Sequence, residues 1–306
     1  MRDNSLLIVG TGAMACLFGG RLSAAGIPIT LLGTWVEGLD VLSRSGVCLQ
    51  EEDGREQIYP VRVTSDPAAC KGTDYSLVLV KSWQTERAAR QLAECLAPDG
   101  LAVTLQNGVG NREMLAKYLG AKRVMLGVTT TGVTLLGPGH VRAGGEGVIT
   151  LGLHARSKPL AELLRRAGFV MESASDPNIL LWGKLVINAA INPLTALLRV
   201  TNGELLSRPT ARVLLVAVAR EAAAVAVAKG VHLPYPDPGI AAENIARRTA
   251  SNRSSMLQDV SRGAPTEIDA ICGAIVQAGE QTGVPTPINR TMWQLVKALE
   301  NKGIGE

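Results

Sequence analysis

The apolar run Leu6–Val9 passes directly into Gly10-Thr11-Gly12-Ala13-Met14-Ala15, after which small and apolar residues continue at helical spacing to Ala25. Few folds accommodate a strand, a glycine turn and a helix in that order. Gly10 permits the tight turn, and Gly12 removes a Cβ so that backbone N–H groups can approach a pyrophosphate. Ala15 is small enough for the helix to pack on the strand. The positive end of the helix favours the anion. Gly10, Thr11, Gly12, Ala13 and Met14 are therefore candidate dinucleotide-binding residues. The plain alternative is a structural turn in a domain that binds no nucleotide.

The remainder of the first half fits such a beginning. Ile27–Leu32, Ser76–Val80, Leu101–Leu105 and Val124–Val128 read as buried strands, separated by helical stretches such as Thr85–Leu96 and Arg112–Leu119. Continuous apolar strands alternating with helices predict a parallel sheet covered on both faces. Val133–Leu153 changes to a glycine-rich, period-two texture, which predicts a β-hairpin at one edge of that sheet. Beyond Ser173 the strand signal ends. Asn178–Ile191, Thr210–Lys229, Thr266–Thr282 and Pro287–Lys302 all read as helices, with Pro193 expected to kink or end the first. The fold class is thus α/β, a Rossmann-like dinucleotide-binding domain over 1–174 followed by an all-helical domain over 175–306.

At 306 residues two domains are the default, since single cores stop growing near about 250–300 residues. The net charge of +4 forms no polybasic arm, and aromatics to stack on bases make up only 3%, so a nucleic-acid partner is not expected. Five scattered cysteines without a CxxC predict reduced, mostly buried thiols and a cytoplasmic protein. Three widely separated histidines predict no metal site. The start lacks a signal-peptide pattern, and the most membrane-like stretch, Ala211–Ala228, is interrupted by Arg212, Arg220 and Glu221, so a buried helix is expected instead of a span. Whether that helix packs internally or forms a homodimer face is open.

Cofactor choice turns on the end of the second strand. An NAD enzyme usually carries an acid there for the ribose 2′-OH. Here the strand ends Leu31-Leu32-Gly33-Thr34-Trp35, and the first carboxylate is Glu37. The missing acid favours NADPH over NADH, and Thr34 could donate to a 2′-phosphate. Lys81 and Asn107 follow the strands 76–80 and 101–105, where ligands of such sheets collect. A solvated lysine and an Asn-Gly turn are their bland readings.

Lys184, Asn188 and Asn192 recur at i, i+4 and i+8 in an otherwise apolar helix. Buried without partners they would cost several kcal/mol, so either a polar ligand or interhelical hydrogen bonds must meet them. Asn202 reads as a helix cap, and Glu267 as a carboxylate at a helix start, where the dipole welcomes it.

Taken together, GTGAMA (10–15), VKSWQT (80–85), LQNGVGN (105–111), KLVINAAINPLTAL (184–197), NGEL (202–205), SSMLQD (254–259), TEIDAICG (266–273) and GVPTPIN (283–289) resemble the ketopantoate reductase family over nearly the whole chain. The resemblance implies a substrate cleft between two such domains, NADPH as cofactor and reduction of the small molecule 2-dehydropantoate to (R)-pantoate, a step toward pantothenate and coenzyme A. By the same likeness Lys184 is the catalytic acid and Glu267 orients the substrate. Asn107, Asn188, Asn192, Asn202 and Ser255 fall on the family's substrate-binding positions, and Lys81 on a lysine near cofactor and substrate carbonyl. The family often has arginine where this chain has Thr34. A reductase of the same fold acting on another small 2-keto or β-hydroxy acid, or a non-catalytic sensor of NADP, are the alternatives.

Overall fold

The computed structural model describes residues 6–145 and 147–300. Two compact units emerge: Met1–Gln106 with Asn111–Pro177, and Asn107–Gly110 with Asn178–Glu306.

In the first unit, β1 (Leu6–Val9), α1 (Ala13–Ala24), β2 (Ile29–Leu32), α2 (Val36–Ser45), β3 (Val47–Gln50), β4 (Glu56–Tyr59) and β5 (Arg62–Thr64) come first. Next are β6 (Thr73–Val78), α3 (Thr85–Cys95), β7 (Leu96–Thr104), α4 (Asn111–Leu119) and β8 (Val124–Thr129). Strands β9 (Val133–Gly137), β10 (His140–Ala143) and β11 (Val148–Gly152), helix α5 (Ser157–Arg166) and β12 (Val170–Ala174) complete it. Eight strands form one sheet in the order β12-β11-β8-β7-β6-β1-β2-β5. Its pairs are parallel except β11 with β8.

Strand β1 is central, with Ile8 facing Leu31 on one side and Leu77 on the other. Alternation sends Leu6 and Ile8 into a core with Phe18, Leu160 and Phe169, and Leu7 and Val9 into another with Ala88, Leu92 and Leu115. Both faces of the sheet are therefore covered. Each fully buried leucine contributes about 1.5–3 kcal/mol, so these cores fix the strand register.

The 133–153 region corrects the expected edge hairpin. Strands β9 and β10 do pair antiparallel, but in a second sheet of order β4-β3-β10-β9, while β11 joins the main sheet. The inner face of the second sheet (Val47, Leu49, Val141 and Ala143) packs on Cys16 and Leu17 of α1. Helix α1 also packs on the main sheet through Ala15, Phe18 and Leu22. Burial on two sides explains why its sequence is small and apolar nearly all round.

The second unit holds α6 (Pro177–Leu198), α7 (Glu204–Ser207), α8 (Pro209–Ala228), α9 (Pro238–Arg248), α10 (Ser255–Ser261), α11 (Ala274–Thr282) and α12 (Pro287–Glu300), with a π-helical turn at Asp269–Gly273. Helix α6 is the core element. Among the described residues it alone is long and apolar enough to cross a membrane, and 78% of its apolar window is buried within the fold, as a core helix requires. Pro193 does not end it, since the helix runs on to Leu198. Proline leaves the carbonyl four residues earlier without its helical donor. That carbonyl, Ala189 O, receives the Cys272 thiol at 4.0 Å. All five cysteines are free thiols, and only Cys48 is not buried.

Candidate active site

Gly10 adopts φ +131, and a Cβ there would meet the Leu79 carbonyl at 3.2 Å. Its N–H donates to Leu32 O at 2.8 Å, pinning the turn between β2 and the end of β6. At Gly12 a Cβ would meet nothing within 4 Å, and this residue caps α1 without a side-chain hydrogen bond or a first-turn acid. The first N–H groups of α1 thus face an open cradle, and the helix dipole adds positive potential there. Thr11 is buried, Ala13 and Met14 are partly so, and Thr34 lies exposed just past β2. These residues fit a dinucleotide pyrophosphate in shape and charge.

Beyond β6, Lys81 precedes a short 3₁₀ turn, Ser82–Gln84. The Gln106 amide, immediately before Asn107, donates to Val80 O at 2.9 Å and to Thr85 Oγ1 at 2.8 Å. Thr85 Oγ1 in turn donates to Asn111 Oδ1, and Thr104 Oγ1 to Gln106 Oε1. This buried network ties the loop after β6 to the carboxyl end of β7 and the start of α4. The sequence reading missed it; the signal was a glutamine at the carboxyl end of a buried strand.

Asn107 itself belongs to the helical unit. The segment 107–110 approaches the π-helical turn so closely that a Cβ on Gly108, whose φ is +81, would lie 2.5 Å from Ala270 O. Asn107 Nδ2 donates to Glu267 Oε2 at 3.2 Å. Glu267 is only 5% exposed, so it is a buried carboxylate in a polar contact and not the surface helix cap its position suggested.

Lys184, Asn188 and Asn192 share one face of α6, as their spacing predicts. Lys184 and Asn188 are partly exposed among buried neighbours, and Asn192 is buried. Burial pushes the Lys184 ammonium down to about 8, against which the negative charge of Glu267 helps it keep its proton. One turn past Asn192, Thr195 Oγ1 lies 2.7 Å from Ser254 Oγ. Ser254 caps α10 by accepting from Leu257 N at 3.0 Å, so the partly exposed Ser255 opens that helix beside α6. Ser254 and Thr195 are the parts sequence reasoning overlooked.

Asn202 is tied to the loop that precedes Ser254, its N–H donating to Asn252 O at 3.0 Å. Its Nδ2 donates to Thr249 Oγ1 at 2.9 Å, while its Oδ1 is buried with no hydrogen-bond partner among the described residues. Gly203, not Asn202, occupies the cap position of α7.

Comparison with known proteins identifies the family of the chain. The family model "Ketopantoate reductase PanE/ApbA" matches residues 6–156, and its C-terminal counterpart matches 179–300. A curated 2-dehydropantoate 2-reductase of Archaeoglobus fulgidus is 38% identical, the alignment covering 98% of this chain and 99% of that protein. The crystal structure of a PanE/ApbA family ketopantoate reductase from Ralstonia eutropha superposes with a TM-score of 0.90 at 34% identity, covering 97% of this chain and 99% of that one. The ternary structure of D-mandelate dehydrogenase with NADH and anilino(oxo)acetate gives a TM-score of 0.92 at 26% identity, covering 97% and 98%.

Proposed function

The chain belongs to the ketopantoate reductase family, and from that premise we propose that Lys184, Glu267 and Asn107 carry the reduction of 2-dehydropantoate to (R)-pantoate with NADPH. The observation that supports this best is the hydrogen bond from Asn107 to the buried Glu267 carboxylate, whose charge favours the protonated form of Lys184.

NADPH, when bound, supplies the hydride that reaches the substrate's C2 carbonyl. The residues from Gly10 to Met14 would hold its pyrophosphate by backbone N–H groups, Thr34 would donate to the 2′-phosphate, and Lys81 would serve the ribose from the loop after β6. We read 1–174 as the cofactor domain and 175–306 as the substrate domain, with the segment Asn107–Gly110 going with the latter.

Lys184 does the proton chemistry. As negative charge grows on the C2 oxygen, Nζ donates a hydrogen bond and then its proton, a contribution of roughly 10²–10⁴-fold. A partly desolvated ammonium suits the task because its attraction for that oxygen is less screened than in water. Glu267 accepts from Asn107 and from the substrate hydroxyl, fixing the ketone's orientation. Asn188 and Asn192 donate amide hydrogens to the substrate carboxylate, with Ser255 beside them. Asn202, whose amide donates to Thr249 Oγ1, would join them in holding the substrate.

We read the enzyme as cytoplasmic and working on a small molecule, without nucleic acid or membrane. A second copy in a homodimer would sit on the face of α8 that exposes Val213, Leu214 and Val227. The assay that tests the reaction tracks nicotinamide absorbance with 2-dehydropantoate and, in a parallel arm, an aromatic 2-oxo acid, each with NADPH and with NADH. Preference for 2-dehydropantoate with NADPH supports the proposal. Preference for the aromatic acid with NADH would place the chain with the D-mandelate dehydrogenase it resembles in structure.

A further inference from the structure

We propose that Cys48, Glu56 and His140 form a binding site for a zinc-type divalent cation on the outer face of the four-stranded sheet. The three come from three neighbouring strands, β3, β4 and β10. Cys48 pairs with His140 in the parallel β3–β10 ladder, and Glu56 pairs with Gln50, two residues on from Cys48, in the antiparallel β3–β4 ladder. A period of two therefore puts all three side chains on one face. Val47, Leu49, Val141 and Ala143 occupy the other and are buried against α1. Nothing in the reductive site uses this outer face.

The geometry suits a metal ion. One ligand atom from each residue lies within 4.8 Å of the others, and His140 Nε2 is 3.0 Å from Glu56 Oε1. Bonds of about 2.0–2.3 Å in a tetrahedron set neighbouring ligand atoms about 3.3–3.6 Å apart, so small rotations of exposed side chains close the set. Gln50 Nε2 also donates to Glu56 Oε1 at 3.0 Å and holds the carboxylate in place, as supporting hydrogen bonds do around metal ligands.

Sulfur with nitrogen selects zinc and its neighbours over magnesium or calcium, which want oxygen alone. The Cys48 proton leaves to solvent as the ion binds, and water completes the fourth position. Widely spaced histidines and cysteines hid the site in the sequence, because the β3–β10 pairing that joins Cys48 to His140 is not local.

Two measurements on tag-free, full-length protein test it. Titrated with Co²⁺, the wild type should develop a thiolate-to-cobalt charge-transfer band that C48S lacks and that H140A reaches only at concentrations at least about tenfold higher. No band in the wild type, or an undiminished band in C48S, would overturn the proposal. Because Cys48 is the one cysteine that is not buried, iodoacetamide labelling of the native protein reports on it. Saturating Zn²⁺ should slow that labelling at least about tenfold in the wild type and hardly at all in H140A. Equal protection in H140A, or none in the wild type, would show that no shared site exists.

Discussion

Asn107 and Glu267, 160 positions apart in sequence, meet in a 3.2 Å hydrogen bond with the asparagine donating. The carboxylate so held also supplies the charge that keeps Lys184 protonated. With that lysine near 8, the ammonium dominates below this pH and is lost as pH rises through it. The kcat/KM for 2-dehydropantoate reduction should therefore fall above about pH 8. In E267Q the upward influence on Lys184 is gone, so the descending limb should move to lower pH. A limb that stays in place would assign the titration to another group.

Two glycine substitutions should separate cofactor binding from turnover. G10A forces a side chain onto φ +131 and toward the Leu79 carbonyl, and should weaken NADPH binding at least about tenfold. G108A drives a Cβ against Ala270 O. It should depress kcat far more than NADPH affinity, because it displaces Asn107. Fluorescence titration with NADPH and steady-state kinetics read the two effects. Identical profiles for both variants would contradict the division of labour.

Thr34 lies exposed after β2 in the position where the family often has arginine. T34R should raise the kcat/KM ratio of NADPH to NADH by about tenfold, since one exposed charge-assisted contact to a 2′-phosphate is worth about 1–2 kcal/mol. An unchanged ratio would place the 2′-phosphate elsewhere.

Ser254 both caps α10 and meets Thr195 on α6. S254A should cost about 1–2 kcal/mol of stability in denaturant unfolding. It should also raise KM through Ser255 more than it lowers kcat. A stable variant with unaltered KM would detach α10 from the substrate site.

Helix α6 shows what a sequence makes legible. Its polar face comes from a 3.6-residue period alone, and the β1–α1 turn was equally readable because its glycines answer to local backbone geometry. That α6 continues past Pro193 was not readable, because the group that meets the freed Ala189 carbonyl, Cys272, lies far along the chain. The second sheet was illegible for a related reason. Its strands are four or five residues long, β4 is largely exposed, and β3 pairs with β10 across the whole central part of the first unit. Glu267 read as a helix cap because sequence position gives the start of a helix but not the depth at which it starts.

The central claim is that the Lys184 ammonium is the acid of the reaction. Measuring 2-dehydropantoate turnover in K184A, with NADPH binding monitored in the same preparation, tests it most directly. Turnover should drop roughly 10²–10⁴-fold while NADPH binds as in the wild type. Turnover within a few-fold of wild type would contradict the claim.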